Sequence, residues 1–172
     1  ICDGPLFKER IFAVVGGGNA AITEALSLTK FASAVKVIHR RHQLRAAKIL
    51  QEKAFAEPKI DFLWDTIITE IQGDNVITRL KLQEITTGKL STLKVDGIFV
   101  AIGLVPNTGY LKGTIPLDKA GYIITNDLME TKVPGIFAAG DIRYNSPRQV
   151  ITAAGDGAIA ALSAERFLTQ LA

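Results

Sequence analysis

The sequence predicts an α/β fold: a parallel sheet with helices packed on its faces, crossed by a β-meander and followed by part of a second α/β unit. Three features predict it. Short, almost wholly apolar runs such as residues 11–15 and 97–103 suit strands buried on both faces of a parallel sheet. Strand-like and helix-like patterns alternate as β-α-β-α over residues 1–57, the order that places helices on the faces of such a sheet. Residues 60–95 then change to β-prone runs separated by the turn signals Gly73-Asp74-Asn75 and Thr87-Gly88-Lys89, the pattern of three antiparallel strands in a meander.

Each element has its own signal. Ile11 to Val15 is a strand, and the glycine triplet Gly16-Gly17-Gly18 ends it. Asn19 to Ala32 carries apolar residues near helical spacing at Ile22, Leu26 and Leu28. Val35 to Ile38 is a second β-branched run, and Leu44 to Phe55 a second helix stopped by Pro58. After the meander, Gly97 to Gly103 returns to a buried strand. The apolar pattern breaks at Leu104 to Gly109, where Pro106 and Asn107 fall, so the domains are expected at 1–103 and 104–172. Beyond it, Tyr122 to Thr125 and Gly135 to Gly140 read as strands, and Gln149 to Leu171 as an Ala-rich helix. Gly155 and Gly157 are poor helix formers within it and suggest close approach to another surface or a ligand.

Composition excludes several classes. The 172 residues hold 20 Lys+Arg against 17 Asp+Glu, and a net charge of +3, scattered along the chain, does not argue for nucleic acid. A single Cys cannot form an intrachain disulfide, so a disulfide-stapled secreted domain is excluded. No run of roughly 18 apolar residues occurs, and the first residues lack the order of a signal peptide, so no membrane span and a cytoplasmic location are expected. No metal site is expected.

Gly16-Gly17-Gly18-Asn19-Ala20-Ala21 fits G-x-G-x-x-A between a strand and a helix, the context in which the pattern binds a dinucleotide. Gly16 can make the tight turn, Gly18 leaves room for a pyrophosphate, and Ala21 permits close helix–strand packing. The free N–H groups opening the helix favour the anion. About 20 residues on, where an NAD site carries an acid for the ribose 2′-hydroxyl, stands His39-Arg40-Arg41-His42-Gln43-Leu44-Arg45. Three arginines offer a 2′-phosphate charge-assisted, bidentate hydrogen bonds, so NADPH is expected over NADH. His39 reads as a strand-end residue packing its ring.

Two further sites stay open on the residues alone. Cys2 is either inert or reactive; Asp3 beside it would raise a thiol pKa, yet could pass a proton to a departing thiolate. Gly140-Asp141 closes an apolar run, where open α/β sheets bind ligands. Asp141 there is either a turn residue or an acceptor for ribityl or sugar hydroxyls. Arg148, Gln149 and Val150 begin a helix whose N-terminus favours a phosphate or a polarised ring edge.

Taken together, Ile1 to Gly4, Val14 to Ala21, Ile38 to Arg45, Phe99 to Thr108 and Val133 to Leu168 resemble the low-molecular-weight, bacterial-type thioredoxin reductases in order and over nearly the whole chain. The most specific stretches are His39-Arg40-Arg41 with Arg45, and Pro134 to Asp141 followed by Arg148-Gln149. The resemblance implies a Rossmann-like three-layer NADPH domain, followed by the C-terminal portion of a FAD-binding α/β domain. It implies that Cys2 is the second cysteine of a redox pair, that Asp3 assists proton transfer, and that Gly16, Gly18, Asn19, Ala20 and Ala21 hold the pyrophosphate. His39, Arg40, Arg41 and Arg45 would surround the 2′-phosphate, and Gly140, Asp141, Arg148, Gln149 and Val150 would line the FAD.

The implied partners are thioredoxin or a thioredoxin-like protein and a second copy in a homodimer. The first cysteine of the pair and the N-terminal FAD segment are absent from this sequence, so the chain alone is expected to bind NADP(H) without completing disulfide reduction. Two alternatives stand beside this one. The first is a related flavoprotein with another donor or acceptor, such as a ferredoxin-type NADP reductase or a peroxiredoxin-linked reductase. The second is a non-catalytic module that senses NADP(H).

Overall fold

The first strand, β1 (Ile11–Val15), is buried on both faces, and its alternation decides what lies on each. Phe12 and Val14 point to one side, where they meet Ala21, Ile22, Ala25 and Leu28 of α1 (Asn19–Leu28). Ile11 and Ala13 point to the other, where they meet Leu80 and Leu82. A run apolar at every position is the sequence signature of a strand covered twice.

The structure is a computed structural model and describes residues 4–171. It divides the chain into two compact units, Ile1–Gly103 and Leu104–Ala172. In the first unit, β1 pairs in parallel with β2 (Ala34–Ile38) and with the last strand of the unit, and β2 pairs in parallel with β3 (Ile60–Leu63). The helix α2 (Lys48–Phe55) joins β2 to β3. An antiparallel sheet follows: β4 (Thr66–Gln72), β5 (Arg79–Glu84) and β6 (Leu90–Lys94). Then β7 (Gly97–Val100) returns beside β1, so the parallel sheet runs β3-β2-β1-β7. Leu80 and Leu82 of β5 seal one face and α1 the other, which gives three layers.

The structure moves some expected boundaries. The run 60–95 was expected to hold only the meander, but Ile60–Leu63 is a fourth parallel strand, with Val35 opposite Ile60. The chain leaves that sheet at Asp65, whose φ of 48° makes a turn, and the Thr66 N–H then bonds the His39 carbonyl. The helix expected from Leu44 starts at Lys48, because the Arg45 and Ala46 N–H groups both bond the Gly17 carbonyl. The first helix ends at Leu28, where Lys59 Nζ bonds the carbonyls of Thr29 and Ala32.

In the second unit the strands expected at 122–125 and 135–140 are not regular strands. Ile123 makes single bridges to Leu117 and Arg143, and Phe137 one to Glu130. Gly135 and Gly140, both at φ 78°, bend the apolar run at each end, and that conformation is open to glycine at little cost. A small core of Ile115, Ile123 and Ala138 holds the loops. The helix α3 (Val150–Thr169) follows as expected, opened by a Thr152 Oγ1 that bonds the Gln149 carbonyl.

Candidate functional site

In the first unit, a cleft of about 350 Å³ opens where the carboxyl ends of β1, β2 and β7 meet. Its floor is the glycine loop. Gly16 has φ 142°, and a Cβ there would overlap the Ala101 carbonyl oxygen and stand 2.9 Å from the Ala21 Cβ. Only glycine fits, and Ala21 is small for the same reason. Gly18 differs: a Cβ would meet nothing within 4 Å. It caps α1 without any side-chain bond, so no capping side chain competes for the first-turn N–H groups, the arrangement that receives a phosphate.

His39 lines the cleft from beneath this loop. It is 5% exposed, and a Cβ on Gly17 would overlap its ring. Its Nε2–H donates to the Gln43 carbonyl at 3.0 Å, and its ring meets Trp64 edge-on. Burial pushes its pKa below the ordinary value; the bond to Gln43 opposes this, and Arg45, Arg41 and Arg40 add to it. The shift favours the neutral ring, and His39 ties the 40–45 loop to the strand end. From the other side, Gly17 accepts the Arg45 and Ala46 N–H groups at 2.6 and 3.1 Å. Asn19 Oδ1 accepts the Ala47 N–H at 2.8 Å, so its side chain braces the start of α2. Ala20 is exposed at the helix start.

This bracing carries the arginines. Arg40, Arg41 and Arg45 are exposed, and none of their guanidinium groups has a hydrogen-bond or ion-pair partner among the described residues. Arg40 and Arg45 line the cleft with the glycines. Guanidinium groups without side-chain partners, two of them in the cleft beside the glycine loop, are suited by their chemistry to anionic groups, and the residues fit a dinucleotide bearing a 2′-phosphate. The sequence pattern did not single out Thr66, Ile67, Ile68, Ala101 and Ile102, which complete the walls. They come from the meander and from β7, so only folding brings them there.

In the second unit, Asp141 and Arg148 line one cleft of about 280 Å³ with Leu104, Val105, Pro106 and Tyr122. Asp141 is exposed and has no partner among the described residues. Arg148 lies over the Tyr122 ring at 5.0 Å, with φ 57°. Gln149 precedes α3 and Val150, 90% exposed, begins it. An unpaired acceptor and a cation at the mouth of an apolar cleft fit one end of a polar, ring-bearing ligand. At Gly155 and Gly157 a Cβ would meet nothing within 4 Å among the described residues.

Arg143 and Asp156, which the sequence did not flag, hold this turn. Asp156 is 6% exposed. Its carboxylate accepts the Gly140 N–H at 3.1 Å and Arg143 Nε and Nη2 at 2.5 and 2.8 Å. The Arg143 fork holds the Asp156 pKa below its ordinary value, and the same bonds raise that of Arg143. An acid among the small residues of α3 was the one available signal. Cys2 and Asp3 lie outside the described residues. Among those described, no group of acidic, His and Cys residues could hold a metal ion, and no helix is long and apolar enough to cross a membrane.

The chain is 49% identical to the thioredoxin reductase of Peptoclostridium acidaminophilum, over 97% of this chain and 55% of that protein. It is 47% identical to the thioredoxin reductase of Bacillus subtilis, over 99% of this chain and 54% of that protein. The crystal structure of thioredoxin reductase from Streptococcus pyogenes superposes with a TM-score of 0.88 at 45% identity, covering 98% of this chain and 55% of that one. The chain thus spans about half the length of the curated relatives it matches. The family model described as pyridine nucleotide-disulphide oxidoreductase matches residues 4–157, from ahead of β1 into α3, and the chain belongs to that family.

Proposed function

We propose that the chain provides the NADPH domain and part of the FAD domain of a thioredoxin reductase. The observation that carries this reading is the cleft in which the glycine loop and the Arg40–Arg45 loop are braced together. In that reading Gly16 and Gly18 let the α1 N-terminus reach the pyrophosphate, with Ala20 and Ala21 at the helix start. Arg40, Arg41 and Arg45 pair with the 2′-phosphate, and His39 and Asn19 set their backbone. In the second unit, Asp141 accepts a hydroxyl hydrogen bond beside Gly140, while Arg148, Gln149 and Val150 present a cation and the α3 N-terminus to a ring edge.

When bound, NADPH and FAD supply hydride and electron-pair transfer to a disulfide. The remaining work belongs to side chains. In this reading Cys2 would be the sulfur of the pair that reacts with the flavin, and Asp3 would pass a proton to the departing thiolate. Thioredoxin as the reduced partner, a homodimeric assembly and a cytoplasmic location belong to the same reading. Its support is the naming of the relatives and the shared fold.

The test compares the full-length protein with its Arg45→Gln variant. NADPH should reduce thioredoxin far better than NADH, and Arg45→Gln should raise KM for NADPH about tenfold or more, as expected for a lost charge-assisted pair, while leaving KM for NADH unchanged. Equal use of both nucleotides by the unmodified protein overturns the NADPH reading. Flavin-linked NADPH oxidation without thioredoxin reduction assigns another acceptor. The 172-residue polypeptide should bind NADP(H) and show no thioredoxin turnover.

A further inference from the structure

We infer that Arg143 and Asp156 are positioning residues for the flavin-facing turn, a role that rests on the reading of the Asp141–Arg148 cleft as a flavin site. The two side chains are bonded to each other. Asp156 is buried, and its two oxygens accept three bonds: the Gly140 N–H on Oδ2, and the Arg143 fork on both. These anchors flank Asp141. On one side its neighbour Gly140, at φ 78°, is tied by its own N–H. On the other side Arg143 is tied by its side chain, and the Ile142 carbonyl accepts the Ile123 N–H at 3.0 Å. Asp141 itself is left exposed and unpartnered between two fixed points.

The same pair starts the following loop. Arg143 Nη1 donates to the Tyr144 carbonyl, and the Tyr144 N–H bonds the Ile123 carbonyl at 2.7 Å. The loop then runs to Arg148, whose cation rests on the Tyr122 ring, next to Ile123. One carboxylate on α3 thus sets the direction of both groups that face the cleft. A carboxylate suits this position and an amide does not. Asparagine offers a single acceptor oxygen, and its NH₂ would face either the Gly140 N–H or the Arg143 fork, donor against donor.

The experiment uses the full-length protein and its variants Asp156→Asn, Arg143→Lys and the double change Arg143→Met with Asp156→Leu. Four quantities are read: the Kd for FAD after flavin removal, the visible circular dichroism of the bound flavin, the Kd for NADP(H), and thermal unfolding. Asp156→Asn should raise the FAD Kd about tenfold or more, the scale of a lost charged hydrogen bond in a buried site, and alter the flavin dichroism. NADP(H) affinity should stay within about twofold, because its site belongs to the other unit. Arg143→Lys keeps the charge without the fork and should fall between.

The double variant removes both buried charges together, which proteins often tolerate. It should regain stability without regaining FAD affinity or the dichroism. If stability and FAD affinity recover together there, or if folded Asp156→Asn binds FAD as the parent does, the positioning role is wrong. Should Asp156→Asn fail to fold, the double variant decides alone. A parent protein that binds no flavin overturns the reading of the cleft, and this role with it. A parent that binds flavin while the variants bind it equally well overturns this role only.

Discussion

Gly17 and His39 show how one residue's size is dictated by another's placement. A methyl group on Gly17 would overlap the His39 ring, and the buried ring cannot swing out without losing its bond to Gln43. Gly17→Ala should therefore cost about 1–3 kcal/mol of stability, the range of overpacking in a filled site, in chemical denaturation. Gly18→Ala is the contrast: nothing lies within 4 Å of its added Cβ, so the fold should be kept while NADP(H) binding weakens. His39 also makes a pH signature. Its pKa is held below 6.5, so the unfolded chain binds more protons than the fold as the pH drops from about 6.5 toward that lowered value. The stability His39 lends is complete above that window and falls through it. Denaturation curves at a series of pH values should show this slope, and His39→Gln, which keeps a donor toward Gln43, should remove it.

Among the elements, β1 carries the most. Phe12 is fully buried, sits edge-on to Phe99 at 5.5 Å and opposes Gly97 across the sheet. Phe12→Ala should cost about 3–5 kcal/mol, measurable by thermal or urea unfolding. The helix α3 is stabilised differently, through Asp156. That carboxyl is held below its ordinary value of 3.8, so its contribution is present above that value and is lost as the pH falls through the lowered one. Acid unfolding of the second unit should flatten in Asp156→Asn. Elements with a strong local signal, such as the wholly apolar β1, the helically spaced α1 and the Ala-rich α3, were legible from the sequence alone. β3 was not: four residues beside a meander carry no mark that says parallel or antiparallel, and that choice came from pairing with β2.

Across the whole molecule, α3 leaves Val150, Ile151, Leu162 and Leu168 between 54% and 90% exposed. Apolar surface of that kind promotes association. The 172-residue polypeptide should therefore scatter light in a concentration-dependent way, and a change of Ile151 and Leu162 to Gln should reduce the scattering without lowering NADP(H) affinity. Unchanged scattering would show that this helix face is not what associates.

The sequence by itself determined the α/β class, the glycine loop and the cluster of arginines. Those features are local: a turn that only glycine can make, a helix start that follows it, and a charge run at a set distance along the chain. Tertiary structure alone decided what braces and completes them. The wedge of His39 under Gly17, the strap from Gly17 to Arg45, the walls supplied by Thr66 and Ile102, and the Asp156 anchor on Gly140 all join residues that are far apart in the chain or unmarked by any spacing. Burial selected them: a polar group leaving water must find its partner wherever the packed chain brings one, and no pattern along the sequence records where that is.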